Sequence, residues 1–365
     1  MSSEFPPSKP VKGRGSLSSP EGRFESLRRE RFDDGWLLED EEAPRLKTTV
    51  TPEQARSIIS RNDSPDVPFE QSINAYRGCE HGCIYCYARP THAYLNLSPG
   101  LDFETRLFYK PNAAELLDTE LRKSGYRCSP ISLGANTDPY QPIERDLKIT
   151  LSLLEVMRRF KHPVSIVTKS TLVERDVELL AELARENLAA VFVSITTLSN
   201  DLKRTLEPRT ASPAARLRTV KILSSAGIPV GVIAAPVIPF VNDQEMEHIL
   251  EEAQNAGACS AHYVLLRLPH EIKDLFREWL AVHYPLKADH VMSLVQQARG
   301  GKDYDSRFGV RMSGAGQYAD MLRQRFTLTC NRLGLNRRMS YGERAALDST
   351  RFRLPPESGD QMSLF

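Results

Sequence analysis

Three cysteines, Cys79, Cys83 and Cys86, stand within the run GCEHGCIYCYA. The Cys-x3-Cys-x2-Cys spacing gathers three thiolates on one short loop and supplies no fourth. A cubane iron–sulfur cluster held there keeps one iron without a protein ligand, and an open iron is a reaction site. A structural zinc ion is the alternative reading. It would close its coordination with four protein groups, so the fourth ligand would have to be His81, His92 or a distant cysteine. The other three cysteines, Cys128, Cys259 and Cys330, are scattered in apolar contexts and read as packing residues.

A reactive loop needs elements to hold it. From Phe69 onward, β-rich runs alternate with helical patterns: SINAY, SPISLGA, PVSIVT, AAVFVSIT, IPVGVIAA and SAHYVLL. Six strands separated by helices predict βαβ units and a parallel sheet, an α/β fold. Between Asp146 and Phe160, apolar residues at Ile149, Leu153 and Val156 repeat at helical spacing and should pack on the outside of the sheet. In a parallel barrel the chemistry gathers at the carboxyl ends of the strands. The cysteines follow the first run, Asn136, Thr137 and Asp138 the second, and Thr168, Lys169 and Ser170 the third, while Ser194 and Thr196 end the fourth. Hydroxyls, an amide and one lysine suit an amino-acid zwitterion and a ribose, with Lys169 meeting a carboxylate as a point charge.

These runs resemble the radical S-adenosylmethionine (SAM) superfamily and, within it, the spore photoproduct lyase-like branch. The resemblance covers about residues 69–270 and rests on YRGCEHGCIYCYAR, SLGANTDPYQPIE, VTKS and APVIPFVND. It implies an incomplete (β/α)6 barrel and a 4Fe-4S cluster on Cys79, Cys83 and Cys86. It also implies SAM chelated to the open iron and cleaved, on reduction by an external electron donor, to a 5′-deoxyadenosyl radical that abstracts hydrogen. By the same resemblance, Thr137, Lys169 and Ser194 contact the methionyl part of SAM. Tyr85, which also borders the cofactor, and Tyr87 line the active site and pass a hydrogen atom back to the product. Where the family carries a cysteine hydrogen donor, this chain has Ala135. A methyl group cannot donate as a thiol does, so strict lyase activity is doubtful and the donor is lost or re-sourced.

Outside the barrel, residues 1–46 read as a flexible arm rich in Ser, Pro, Gly and charge, whose Phe32 and Trp36 should help dock part of it. Residues 47–285 form the expected core and 286–354 a basic helical extension. Within the extension, Val291, Leu294, Val295 and Ala298 make one helical stripe, and Tyr318, Leu322 and Phe326 another that stops near Gly334. Between Arg299 and Arg353 there are twelve Lys or Arg against five Asp or Glu, a local net of +7 in a chain of net +1. Tyr304, Phe308, Tyr341 and Phe352 interleave with these charges, a composition that suits phosphate contact and base stacking. Residues 355–365 are a tether ending in Gln361, Met362, Ser363, Leu364 and Phe365, similar to the bacterial sliding-clamp-binding peptide.

The near-neutral charge excludes a uniformly basic nucleic-acid coat. No signal-like core or spanning apolar stretch is present in the sequence, so a cytoplasmic protein with no membrane partner is expected. The reading is a radical SAM enzyme acting on nucleic acid, with a DNA-repair-like lyase as its nearest analogue. The alternatives are an RNA- or protein-modifying radical enzyme and a non-catalytic iron–sulfur or zinc adaptor that binds nucleic acid.

Overall fold

The computed structural model describes residues 11–24, 46–336 and 347–356. Phe32, Trp36, Tyr341 and the peptide Gln361–Phe365 lie outside the described residues.

Among the described residues, ten strands form two sheets. They are β1 (Thr49–Pro52), β2 (Ile59–Arg61), β3 (Gln71–Ile73), β4 (Tyr76–Arg77), β5 (Arg106–Tyr109), β6 (Ile131–Leu133), β7 (Val164–Thr168), β8 (Ala189–Ser194), β9 (Val230–Val237) and β10 (Ser260–Leu265). The larger sheet runs β10-β9-β8-β7-β6-β3-β2, parallel throughout except for β2, which lies antiparallel to β3. Its six parallel strands are the six expected from the sequence. Both faces of such a sheet are covered, which is why β8, AAVFVS, is buried at every position.

Two local details differ from the sequence reading. SINAY is not one strand: Gln71–Ile73 joins the large sheet, while Tyr76 leaves it to pair with Tyr109 in the small β1-β5-β4 sheet. The helix expected from Asp146 breaks at Lys148, whose φ of 54° separates a short Glu144–Leu147 turn from the main helix Ile149–Arg159. The predicted stripe itself is buried at Ile149, Leu153 and Val156. Each such side chain contributes roughly 1.5–3 kcal/mol of burial.

The extension carries its two predicted helices, Ala288–Gln297 and Gln317–Leu333, and the second ends on Gly334 in the left-handed conformation. Much of its positive charge is spent on docking. Arg325 pairs with Glu247 at 2.6 Å, Arg332 with Glu251 at 2.6 Å, Arg351 with Glu186 at 3.2 Å and Arg311 with Asp66. Further along, Phe352 stacks on Phe160 and meets His162 edge-on. Cys330 is buried as expected, while Cys128 and Cys259 are only partly so.

Burial holds the pKa of His162 down at about 4, opposed by its hydrogen bond to the Pro163 carbonyl. The unfolded chain takes up that proton near pH 6.5, so it binds more protons than the folded chain between pH 6.5 and 4. Stability should therefore fall as pH drops through this window, by about 3 kcal/mol from this residue. Urea unfolding across the window checks this, and His162→Gln should flatten the slope. An unchanged slope would relieve His162 of that role.

Candidate functional site

The cysteine loop leaves β4 and is fastened from three directions. Cys79 N donates to Phe103 O at 2.9 Å and Ile84 N to Leu206 O at 3.0 Å. From below, Arg89 Nε donates to Cys83 O at 2.8 Å, and its Nη1 reaches Pro99 O and Gly100 O. Arg89 also pairs with Glu104, both fully buried, and the Glu104 carboxylate accepts the amides of Gly15 and Ser16 at 3.0 and 2.9 Å. Part of the N-terminal arm thus packs beneath the loop. At Gly15 a Cβ would lie 1.8 Å from Gly82 O, so the contact requires glycine.

Cys79, Cys83 and Cys86 all line one cavity of about 400 Å³ at the carboxyl ends of the large sheet. Among the described residues no three His, Cys, Asp or Glu side chains are already grouped as a metal-ion site. A cubane asks each thiolate for its own iron, and three cysteines on one loop facing one cavity supply that donor set. Burial and the nearby Glu207 carboxylate push the Cys83 thiol up to about 12, and burial raises Cys79 as well. Loading such thiols with a cation must expel their protons. Of the two histidines, His81 lines the cavity with Nδ1 3.3 Å from Asp138, whereas His92 turns away to Arg106 O and Phe103.

Around the same cavity stand Tyr85, Tyr87, Ala135, Asn136, Lys169 and Ser194. Thr137 does not line it: its hydroxyl donates to Tyr76 O at 3.1 Å, while its neighbours Asn136 and Asp138 face in. The turn that presents them begins at Gly134, φ 92°, where a Cβ would meet Val167 O at 2.1 Å. Asp138 accepts from Thr168 Oγ1 and from the Lys169 amide, both at 2.7 Å, and so ties the ends of β6 and β7 together. Burial alone would raise the Asp138 carboxyl, but His81 and these donors bring it down to about 2.

Lys169 Nζ sits 5.9 Å above the Tyr85 ring. Burial disfavours its charge, yet Cys83 and Glu207 outweigh burial and raise its pKa, so it stays cationic. The Tyr85 hydroxyl donates to Glu207 and lies 3.2 Å from Thr196 Oγ1. Glu207 in turn pairs with buried Arg216, whose Nη1 donates to Ser194 O at 2.9 Å. Burial, then the neighbouring Cys83 and Glu207, raise the Tyr85 phenol, which stays protonated. Tyr87 is 44% exposed, and its hydroxyl donates to the carbonyl of Ala135.

Sequence reasoning passed over Arg89, Glu104, Glu207, Arg216 and Arg267. No local pattern sets these charged residues apart from solvated ones; the one usable signal was a carboxylate in LEPRT, beyond the fourth strand. It also passed over how the open side of the sheet is covered. The chain returns after Arg299 so that Leu265 N, on edge strand β10, donates to Met312 O at 2.9 Å. Gly309 N and Arg311 then engage Asp66, in the loop after β2 at the other edge. Residues 307–314 therefore span the two edges, with Arg311 and Met312 lining the cavity.

Comparisons with known proteins bear on the family and the fold. The family model described as the radical SAM superfamily matches residues 73–253. An uncharacterised protein of Mycobacterium bovis and one of Mycobacterium tuberculosis are each 38% identical over 221 residues, 60% of this chain and 65% of the relative. The match thus spans a little under two thirds of those relatives. An uncharacterised protein of Methanocaldococcus jannaschii is 29% identical over 213 residues, 58% of this chain and 76% of its own length. Among solved structures, spore photoproduct lyase complexed with dinucleoside spore photoproduct superposes with a TM-score of 0.54 at 16% identity, covering 78% of this chain and 80% of that one. At that identity the likeness is one of fold.

Proposed function

We propose that the chain, whose residues 73–253 match the radical SAM superfamily model, binds a 4Fe-4S cluster on Cys79, Cys83 and Cys86, binds SAM beside it, and abstracts hydrogen from a nucleic-acid substrate. The observation that carries this reading is the gathering of the three cysteines with Lys169 and Ser194 around one cavity at the strand ends. When bound and reduced by an external donor, the cluster and SAM supply a 5′-deoxyadenosyl radical.

The protein's own part is to position and to shield. A lysine kept cationic suits the SAM carboxylate, and Ser194 and Asn136 offer neutral hydrogen-bonding groups nearby. Tyr85 is fixed against Glu207 and serves best as a wall under Lys169. Tyr87, partly exposed and held at Ala135, is the better placed of the two phenols to return a hydrogen atom where the family's thiol is missing. Met312 and Val264 exclude water from the side on which the sheet is open.

Nucleic acid as substrate is supported by the shared fold with a lyase solved around a dinucleoside photoproduct, and by the Phe69 and Tyr87 rings at the cavity. On sequence alone, Gln361, Met362, Leu364 and Phe365 are proposed as a contact with a bacterial sliding clamp. Anaerobic turnover with uniformly deuterated DNA and RNA oligonucleotides tests the substrate class: deuterium should appear in 5′-deoxyadenosine from one of them. Transfer from neither, together with transfer from deuterated cellular protein, would replace nucleic acid with a protein substrate.

A further inference from the structure

We propose that the cavity carries an anion subsite built on Arg267, which takes a phosphate diester of the nucleic-acid substrate; this rests on the radical SAM reading of the same cavity. Arg267 follows β10, lines the cavity and holds its guanidinium carbon 5.0 Å over the Tyr87 ring. The acceptors it finds in the protein are poor ones. Nη1 lies 3.4 Å from the thioether of Met312, Nη2 lies 3.4 Å from the Tyr304 hydroxyl, and Nε is buried with no partner.

Behind it stands a second guanidinium, that of Arg299, only 1% exposed. Its Nη atoms serve the carbonyls of Leu265, Leu266 and Val310, and its Nε is also orphaned. Burial first and Arg267 second pull Arg299 down to about 10, a sign that the two cations feel one another. Neither makes an ion pair among the described residues. In this the two differ from the neighbouring arginines: Arg307 has Asp305 and Arg311 has Asp66.

Two adjacent cations, Arg299 buried and Arg267 partly so, with no ion pair of their own, repel one another, and an anion brought by the substrate offsets that cost. A planar guanidinium with spare donors suits the oxygens of a phosphate. The Tyr87 ring under Arg267, with Phe69 also on the cavity wall, supplies a flat apolar face on which the base beside that phosphate can stack.

The test is binding of fluorescein-labelled single-stranded thymidine and uridine oligonucleotides, followed by anisotropy on the full, cluster-loaded chain. Arg267→Gln should weaken whichever oligonucleotide binds by about tenfold and make the salt dependence shallower by about one phosphate contact. Arg158→Gln, on the outer helix beside Glu182, removes the same charge and should change nothing. In the wild-type protein, the oligonucleotide should protect Arg267 from phenylglyoxal, read by peptide mass spectrometry, which keeps the test valid if the variant misfolds. Equal weakening by the two variants, no protection of Arg267, equal binding of a neutral methylphosphonate backbone, or better protection by a glutamate-rich peptide would each overturn the phosphate assignment. SAM cleavage measured on the same preparation separates the two claims: cleavage without protection removes only the subsite, whereas protection without cleavage removes the radical reading.

Discussion

Arg89→Met should lower the unfolding free energy by about 3–5 kcal/mol, because it strands the Glu104 carboxylate in the interior. Arg89 and Glu104 are both fully buried, and in the native chain the guanidinium joins that carboxylate to Cys83 O, Pro99 O and Gly100 O at once. Methionine fills much of the volume and replaces none of these bonds. Glu104 would be left with the Gly15 and Ser16 amides, Pro99 O and Gly100 O would lose the Arg89 donor, and Cys83 O would keep only the Cys86 amide. Urea unfolding at neutral pH measures the loss. Adding Glu104→Gln to the variant removes the stranded charge and should restore about 1 kcal/mol or more, a non-additivity expected of residues in one network. A loss below about 1 kcal/mol would mean that the pair does not hold the arm and loop together.

Cys83→Ala should abolish iron–sulfur loading while leaving the chain folded. With Cys79 and Cys86 alone, a cubane would lack a second protein ligand as well as the one it leaves open for SAM. The fold should survive, since removing one sulfur costs only about 1–2 kcal/mol at a site of ordinary packing. Iron and sulfide analysis after anaerobic reconstitution should give about four of each per native chain and background for the variant. Cys128→Ala, remote from the cavity, should load as the native chain does. Equal loading of Cys83→Ala and the native chain would move the cluster elsewhere.

How far the sequence carries depends on the range over which a residue's meaning is set. The six parallel strands were legible because each is a short β-rich run flanked by helical periodicity, a local signal. The cysteine loop was legible because all of its donors lie within eight residues of chain. Lys169 and Ser194 could be placed from strand ends alone, and both reach the cavity. Thr137 shows the limit of that logic: one residue of turn geometry directs Asn136 and Asp138 inward and leaves the Thr137 hydroxyl on Tyr76 O. Arg89, Glu207 and Arg216 were opaque for a different reason. A buried ion pair is made by partners 9 to 15 residues apart, in segments whose composition is that of solvated helices. The charge of the extension could be counted in the sequence but its partners could not, since Asp66, Glu186, Glu247 and Glu251, which pair with four of its arginines, lie far away in the chain. The covering of the open sheet by residues 307–314 depends on contacts about 240 residues apart, for which no local pattern exists.

Reductive cleavage of SAM by the anaerobically reconstituted native chain, with Cys83→Ala alongside, tests the central claim most directly. The account predicts 5′-deoxyadenosine and methionine in equal amounts from the native protein under dithionite, and neither from the variant. A native chain that carries a full complement of iron and sulfide, binds SAM and yields no 5′-deoxyadenosine above the Cys83→Ala background would contradict it.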